Sequence, residues 1–197
     1  MNDSKERTYP KTIQLGSNSI EIRYMTASDG DAVSNFAKRL PPHDLLFLRR
    51  DITHKKVLDA WLKEIEGGNL RTLLAFKQND VVGCGAIFRD ELSWSPHVGE
   101  LRIVVAAEMR GQGLGRELSQ ECFATGLGLG LKKLVANMTV DQRGAIAVFE
   151  GLGFRPEALL RDHVIDRNGV AHDVVVLSHD VAKFRAQAEA YGMTSAF

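Results

Sequence analysis

At 197 residues the chain fits one domain with a sizeable core, or one domain plus a tail. Its 44% apolar and 25% charged residues are those of an ordinary globular protein, and Lys+Arg 25 against Asp+Glu 25 gives a formal net charge of zero. That balance argues against a nucleic-acid binder, which needs a basic excess to displace counterions, and no apolar run approaches membrane-spanning length.

The first residues, to about Tyr9, are polar and read as a disordered tail that lacks the apolar stretch of a secretory signal. Residues 12–15 and 19–25 flank Gly16-Ser17-Asn18 as a hairpin, with Ile20, Ile22 and Tyr24 alternating against Glu21 and Arg23. Thr26-Ala27-Ser28-Asp29 supplies capping side chains for a helix that runs to Leu40, where Pro41-Pro42 stops it. The stretch 45–50, apolar then basic, reads as a short helix. A longer helix runs from about Lys55 to Ile65 and closes at Gly67-Gly68.

Residues 71–76 and 81–88 form two strands joined at Asn79-Asp80, and a polar connection, 90–97, leads to a strand over 99–106. A glycine-rich loop and a helix over 117–127 follow. Then come a strand at 133–140 and a short helix at 143–151. Two strands, 161–166 and 170–177, flank the hairpin turn Arg167-Asn168-Gly169, and a last helical stretch covers 181–191. The order predicts a single α/β domain, a mixed central sheet flanked by helices. Its bounds are an N-terminal tail and first hairpin strand over 1–18, the domain proper over 19–178, and a C-terminal helix or tail over 179–197.

Two cysteines, Cys84 and Cys122, form neither a CxxC pair nor a disulfide framework. They read as small core residues in a cytoplasmic protein. The six histidines, at 43, 54, 97, 163, 172 and 179, give no HExxH or other close metal spacing, so no metal site is expected. No Gly-x-Ser-x-Gly elbow supports a serine hydrolase.

The run Arg110-Gly111-Gln112-Gly113-Leu114-Gly115-Arg116 carries the most information. Three glycines at alternate positions between a strand and a helix let an anion approach unpaired N–H groups and the positive end of the helix dipole. The spacing is neither Gly-x-Gly-x-x-Gly nor a Walker loop ending in Gly-Lys-Ser/Thr. Read alone, the glycines also suit a turn that serves only helix–strand packing.

Together with residues 99–105 before it and Ala145-Ile146-Ala147-Val148-Phe149-Glu150-Gly151-Leu152-Gly153-Phe154 about thirty residues later, this loop resembles the GNAT superfamily of acyl-CoA-dependent N-acyltransferases. The resemblance covers roughly residues 19–178. It implies acetyl-CoA as acyl donor. Backbone groups of Ile103, Val104 and Val105 would hold its pantetheine arm like an added strand, and N–H groups from Gly111 to Arg116 its pyrophosphate. Arg110 and Arg116 would screen the charge, and the thioester would sit where the flanking strands splay.

Two positions depart from the family pattern: Gln142 replaces the usual Asn, and Phe149 the usual Tyr, within the cofactor-binding set. That Tyr commonly protonates the departing sulfur, so no general acid is assigned. A thiol of pKa near 8.5 leaves as thiolate at pH 7 for roughly 2 kcal/mol, whereas deprotonating an alkylammonium of pKa near 10.4 costs roughly 4–5 kcal/mol. A base matters more. Glu100 aligns with a glutamate that serves as base in some bacterial protein-lysine acetyltransferases of the superfamily, and the alternative is a solvated strand-end charge. Asp90, Glu91 and His97 are weaker candidates.

The resemblance thus implies an N-acetyltransferase in which a primary amine attacks the thioester directly. The acceptor is expected to be a protein lysine ε-amine, docked on residues 41–54 and 90–97. The alternatives are a small-molecule amine and a catalytically silent acyl-CoA sensor.

Overall fold

The computed structural model describes residues 7–183 apart from 47 and 49. Period-two alternation at Ile20-Glu21-Ile22-Arg23 makes β2 (Asn18–Tyr24), which buries both isoleucines completely and turns back along β1 (Lys11–Leu15). The chain enters α1 (Gly30–Arg39) through a capping box between Thr26 and Asp29. Asp29 is buried, and the Arg23 guanidinium (2.7 and 2.8 Å) with the Thr26 N–H (2.7 Å) holds its carboxyl down at about 2, against the opposing effect of burial. α2 (Lys55–Glu66) ends at Gly67.

Three strands follow, β3 (Leu70–Lys77), β4 (Asp80–Phe88) and β5 (Val98–Val105). After them come α3 (Leu114–Gly128), β6 (Lys133–Thr139), α4 (Arg143–Gly151), β7 (Arg155–Ile165) and β8 (Ala171–Asp180). They form one eight-stranded sheet in the order β1-β2-β3-β4-β5-β6-β8-β7, antiparallel except for the parallel pair β5–β6. This is the predicted mixed α/β domain.

α3 lies directly on β4 because Gly83 and Gly85 leave room for it. A Cβ there would stand 2.8 Å from Leu118 Cδ1 and 2.7 Å from Cys122 Sγ respectively, closer than packed carbons come. Cys84 and Cys122 are both core residues, and burial pushes the Cys84 thiol up to about 12.

Several local expectations change. Arg7 and Tyr9, assigned by sequence to a disordered tail, dock on α3 at Glu121, a carboxylate shut off from solvent. The Tyr9 hydroxyl (2.7 Å) and Lys11 Nζ (2.6 Å) donate to it, and Arg7 pairs with it. Burial pushes the Glu121 carboxyl up, but Lys11, Tyr9 and Arg7 more than offset that and hold it below the usual range. Such long-range pairing carries no local sequence signal, and residues 1–6 of that tail lie outside the described residues.

β7 starts at Arg155 rather than 161. It is an edge strand with no buried residue, so it shows none of the alternation that marks half-buried strands. A 3₁₀ turn spans Pro42–Leu45, residues 46, 48 and 50 are not helical, and residues 47 and 49 of the short helix expected over 45–50 lie outside the described residues. Residues 181–183 are helical, and the rest of the expected C-terminal helix lies outside the described residues. Among the described residues no helix is long and apolar enough to cross a membrane.

Candidate active site

β5 and β6 pair over three rungs only: Val98 with Lys133, Gly99 with Leu134, and Glu100 with Val135. Beyond Glu100, β5 stays with β4 as far as Val105, while β6 follows β8 to Thr139. The sheet therefore opens into a V. Leu101 to Val105, including Ile103, Val104 and Val105, are paired on the β4 side alone. Their other edge presents main-chain donors and acceptors that an extended ligand can satisfy.

At the mouth of the V, Gly111 (φ +71°) and Gly113 (φ +92°) take left-handed conformations that only glycine adopts readily. Gly113 caps α3, and a side chain at Gly111 would meet nothing within 4 Å. The N–H groups of Gly111 to Arg116 have no backbone acceptor among the described residues, since the first intrahelical bond runs from Glu117 N to Gly113 O (3.1 Å). The cradle thus fits an anion such as a pyrophosphate.

Side chains fix its shape. Gln112 Nε2 donates to Glu108 O (2.7 Å), and Asn18 Nδ2 donates to Gln112 Oε1 (2.9 Å), tying the loop to the first hairpin. Leu114 is fully buried, so it faces the cradle through its backbone alone. Arg110 is paired with Asp44 of the 3₁₀ turn, while Arg116 stands exposed on the first turn of α3.

Glu100 sits at the apex of the V and is 8% exposed, which excludes the solvated strand-end alternative. Its Oε1 accepts from Arg102 Nε (3.0 Å) and Asn137 Nδ2 (3.3 Å), and lies 2.6 Å from a terminal nitrogen of Arg102. The carboxylate therefore touches both strands just where they part. It also lines a cavity of about 310 Å³, with Leu46, Leu48, Asn137, Met138, His163, Val164 and Val174. Apolar side chains dominate its wall. Leu46, Asn137 and His163 carry no local sequence signal of this placement, because they reach the cavity from three separate segments. Asp90, Glu91 and His97 are all exposed on the β4–β5 loop and do not line it.

Gln142 is the N-cap of α4, and its Oε1 is closed off from solvent without a hydrogen-bond partner among the described residues. Phe149 is 2% exposed, and its ring forms a T-shaped pair with that of Phe154 at 5.0 Å between centroids. Gly153 (φ +92°) carries the chain from α4 into that aromatic cluster.

A sheet split between parallel neighbours, with an anion cradle at its mouth and a buried carboxylate at its apex, defines a site suited to an extended phosphate-bearing ligand. The sequence profile of the acetyltransferase (GNAT) family matches residues 38–154, more than half the chain, and the chain belongs to that family. It is an N-acetyltransferase with acetyl-CoA as donor.

Solved structures share the fold. A GNAT-family acetyltransferase from Streptococcus pneumoniae is 22% identical with a TM-score of 0.71, covering 82% of this chain and 99% of that one. A ribosomal-protein-alanine N-acetyltransferase from Brucella melitensis is 20% identical, TM-score 0.69, covering 81% and 98%. A chimeric spermidine N-acetyltransferase from Vibrio cholerae is 20% identical, TM-score 0.69, covering 84% and 98%. No curated protein matches the chain by sequence.

Proposed function

We propose that the protein acetylates a lysine ε-amine on a protein partner, and that Glu100 binds the incoming ammonium and takes or relays its proton. The observation that carries this reading is the burial of Glu100 at the point where β5 and β6 separate, inside a cavity walled by Leu46, Leu48, Met138, Val164 and Val174. Four methylenes suit such walls. One carboxylate, already paired with Arg102, suits a single ammonium better than a polycation. Bound acetyl-CoA supplies the acetyl thioester. The backbone edge at Ile103, Val104 and Val105 and the N–H groups of Gly111 to Arg116 would hold the donor, with Arg116 screening the phosphates. Gln142 Oε1, an acceptor without a donor among the described residues, opens the later family motif.

Incubating the purified protein and labelled acetyl-CoA with cell lysate tests the acceptor. Labelling of a few discrete proteins, lost in Glu100→Gln, supports a lysine acceptor. Rapid CoA release with a free amine and no protein labelling reverses it in favour of a small amine, an acceptor named for one of the structurally similar proteins, the spermidine enzyme. The Phe at position 149 favours one further reading, an acyl-CoA sensor, and binding without CoA release across both panels would establish that.

A further inference from the structure

We infer that His163 is a second catalytic residue of the acceptor site, taking a proton from the ammonium held by Glu100 and passing it to solvent. This rests on the acetyl-transfer reading above. His163 and Val164 are consecutive on β7, yet both line the cavity that holds Glu100. A regular strand forbids that, because successive side chains point to opposite faces.

The irregularity that permits it is in the pairing. Leu160 stands opposite Val174 and Val164 opposite His172, so Arg161, Asp162 and His163 are set against the single residue Asp173. Asp162 takes φ +48°, and its N–H donates to Asp173 Oδ1 (2.9 Å), which locks the bulge. A left-handed non-glycine residue is disfavoured and persists only where its surroundings hold it, and bulges next to active sites commonly re-aim a side chain. Here the re-aimed side chain is an imidazole.

The three polar side chains of the cavity then divide the work. Glu100 is tied to Arg102 and Asn137, which fixes its position and suits it to orient an ammonium. Asn137 bridges the strands. His163 is exposed, so it meets both the cavity and bulk water, and imidazole accepts and releases protons near neutral pH. One proton passes from the ammonium, relayed by the Glu100 carboxylate, to the imidazole. The freed nitrogen lone pair forms the new C–N bond as the C–S bond breaks, with the electron pair leaving on sulfur. The nitrogen's second proton is lost to water, and His163 returns its own to solvent. Among the titratable or charged groups on the elements around it are Arg161 and Asp162 on β7, His172 and Asp173 on β8, Glu100 and Arg102 on β5, and His43 and Asp44 on the 3₁₀ turn.

The test uses the full chain, His163→Gln and n-butylamine as acceptor probe. CoA release should fall by about 10²-fold in kcat/KM, and the acidic limb of its pH profile should vanish. Acetyl-CoA affinity by calorimetry should stay unchanged. Independently, the His163 ring resonance, assigned by its loss in the variant, should shift when n-butylamine is added without acetyl-CoA. Wild-type kinetics in His163→Gln, or a resonance that ignores the amine, overturns the inference. Where the wild type does not turn over n-butylamine, labelling of lysine acceptors in lysate replaces CoA release as the readout. Loss of labelling in His163→Gln then supports the inference, labelling at the wild-type rate overturns it, and absence of both CoA release and labelling in the wild type strikes the acceptor reading on which it rests.

Discussion

Glu100 and Val135 face each other across the last rung that joins β5 to β6, and from the next residue onward the two strands part. The carboxylate is thereby fixed from both sides of the opening, by Arg102 on its own strand and Asn137 on the other. Glu100→Gln keeps the shape and removes the charge. Turnover should drop about 10²-fold, the usual scale for general acid–base catalysis, with acetyl-CoA affinity almost unchanged. Near-normal turnover at neutral pH would show that the charge serves only the strands.

The cradle depends on backbone shape more than on side-chain charge. Gly113→Val forces a β-branched residue into φ +92°, at a cost of at least 1–2 kcal/mol in stability, and rotates the N–H groups at the start of α3. Acetyl-CoA affinity should fall more than about tenfold, or 1.4 kcal/mol. Arg110→Ala removes a cation already engaged by Asp44, so it should cost less than that. Calorimetry on both folded variants checks the ranking, and a larger loss from Arg110→Ala would reverse it.

Phe149→Tyr restores the hydroxyl that the family usually has, but places it in an environment that is 2% exposed. An unpartnered buried hydroxyl costs about 1–3 kcal/mol, so the thermal midpoint should fall. The rate should gain little, since thiolate departure is the smaller of the two costs, roughly 2 against 4–5 kcal/mol. A tenfold rate gain would contradict this.

Acid should destabilise the fold through Asp29 and Glu121. Both carboxyls are held below their unfolded values, Asp29 by Arg23 and Glu121 by its three partners against the effect of burial. Their stabilisation is complete above the unfolded values of about 4 and is lost as pH falls through the lower folded values, near 2 for Asp29. Urea midpoints between pH 6 and pH 2.5 should decline most steeply below pH 4. Asp29→Asn and Glu121→Gln should each be less stable at pH 6 and show a shallower decline. Parallel curves for wild type and variants would refute the linkage.

What the sequence determined by itself was whatever lies contiguous along the chain. The glycine loop, the caps at Thr26 and Asp29, the stop at Pro41 and the Gly67 terminus are local, because φ preference, capping and helix polarity act within a few residues. Glu100 was legible as a candidate because the family resemblance aligns it, near the start of the strand that leads into that loop, with a glutamate base of related enzymes. Its burial was not, since that depends on Arg102, Asn137 and the point where two strands 35 residues apart diverge. His163 and Glu121 are of the same kind. One is aimed by a bulge that exists only against β8, and the other is a charge kept in the interior by an N-terminal segment that composition reads as a tail. Such placements follow from strand pairing and desolvation summed over distant segments, and the tertiary structure alone decided them.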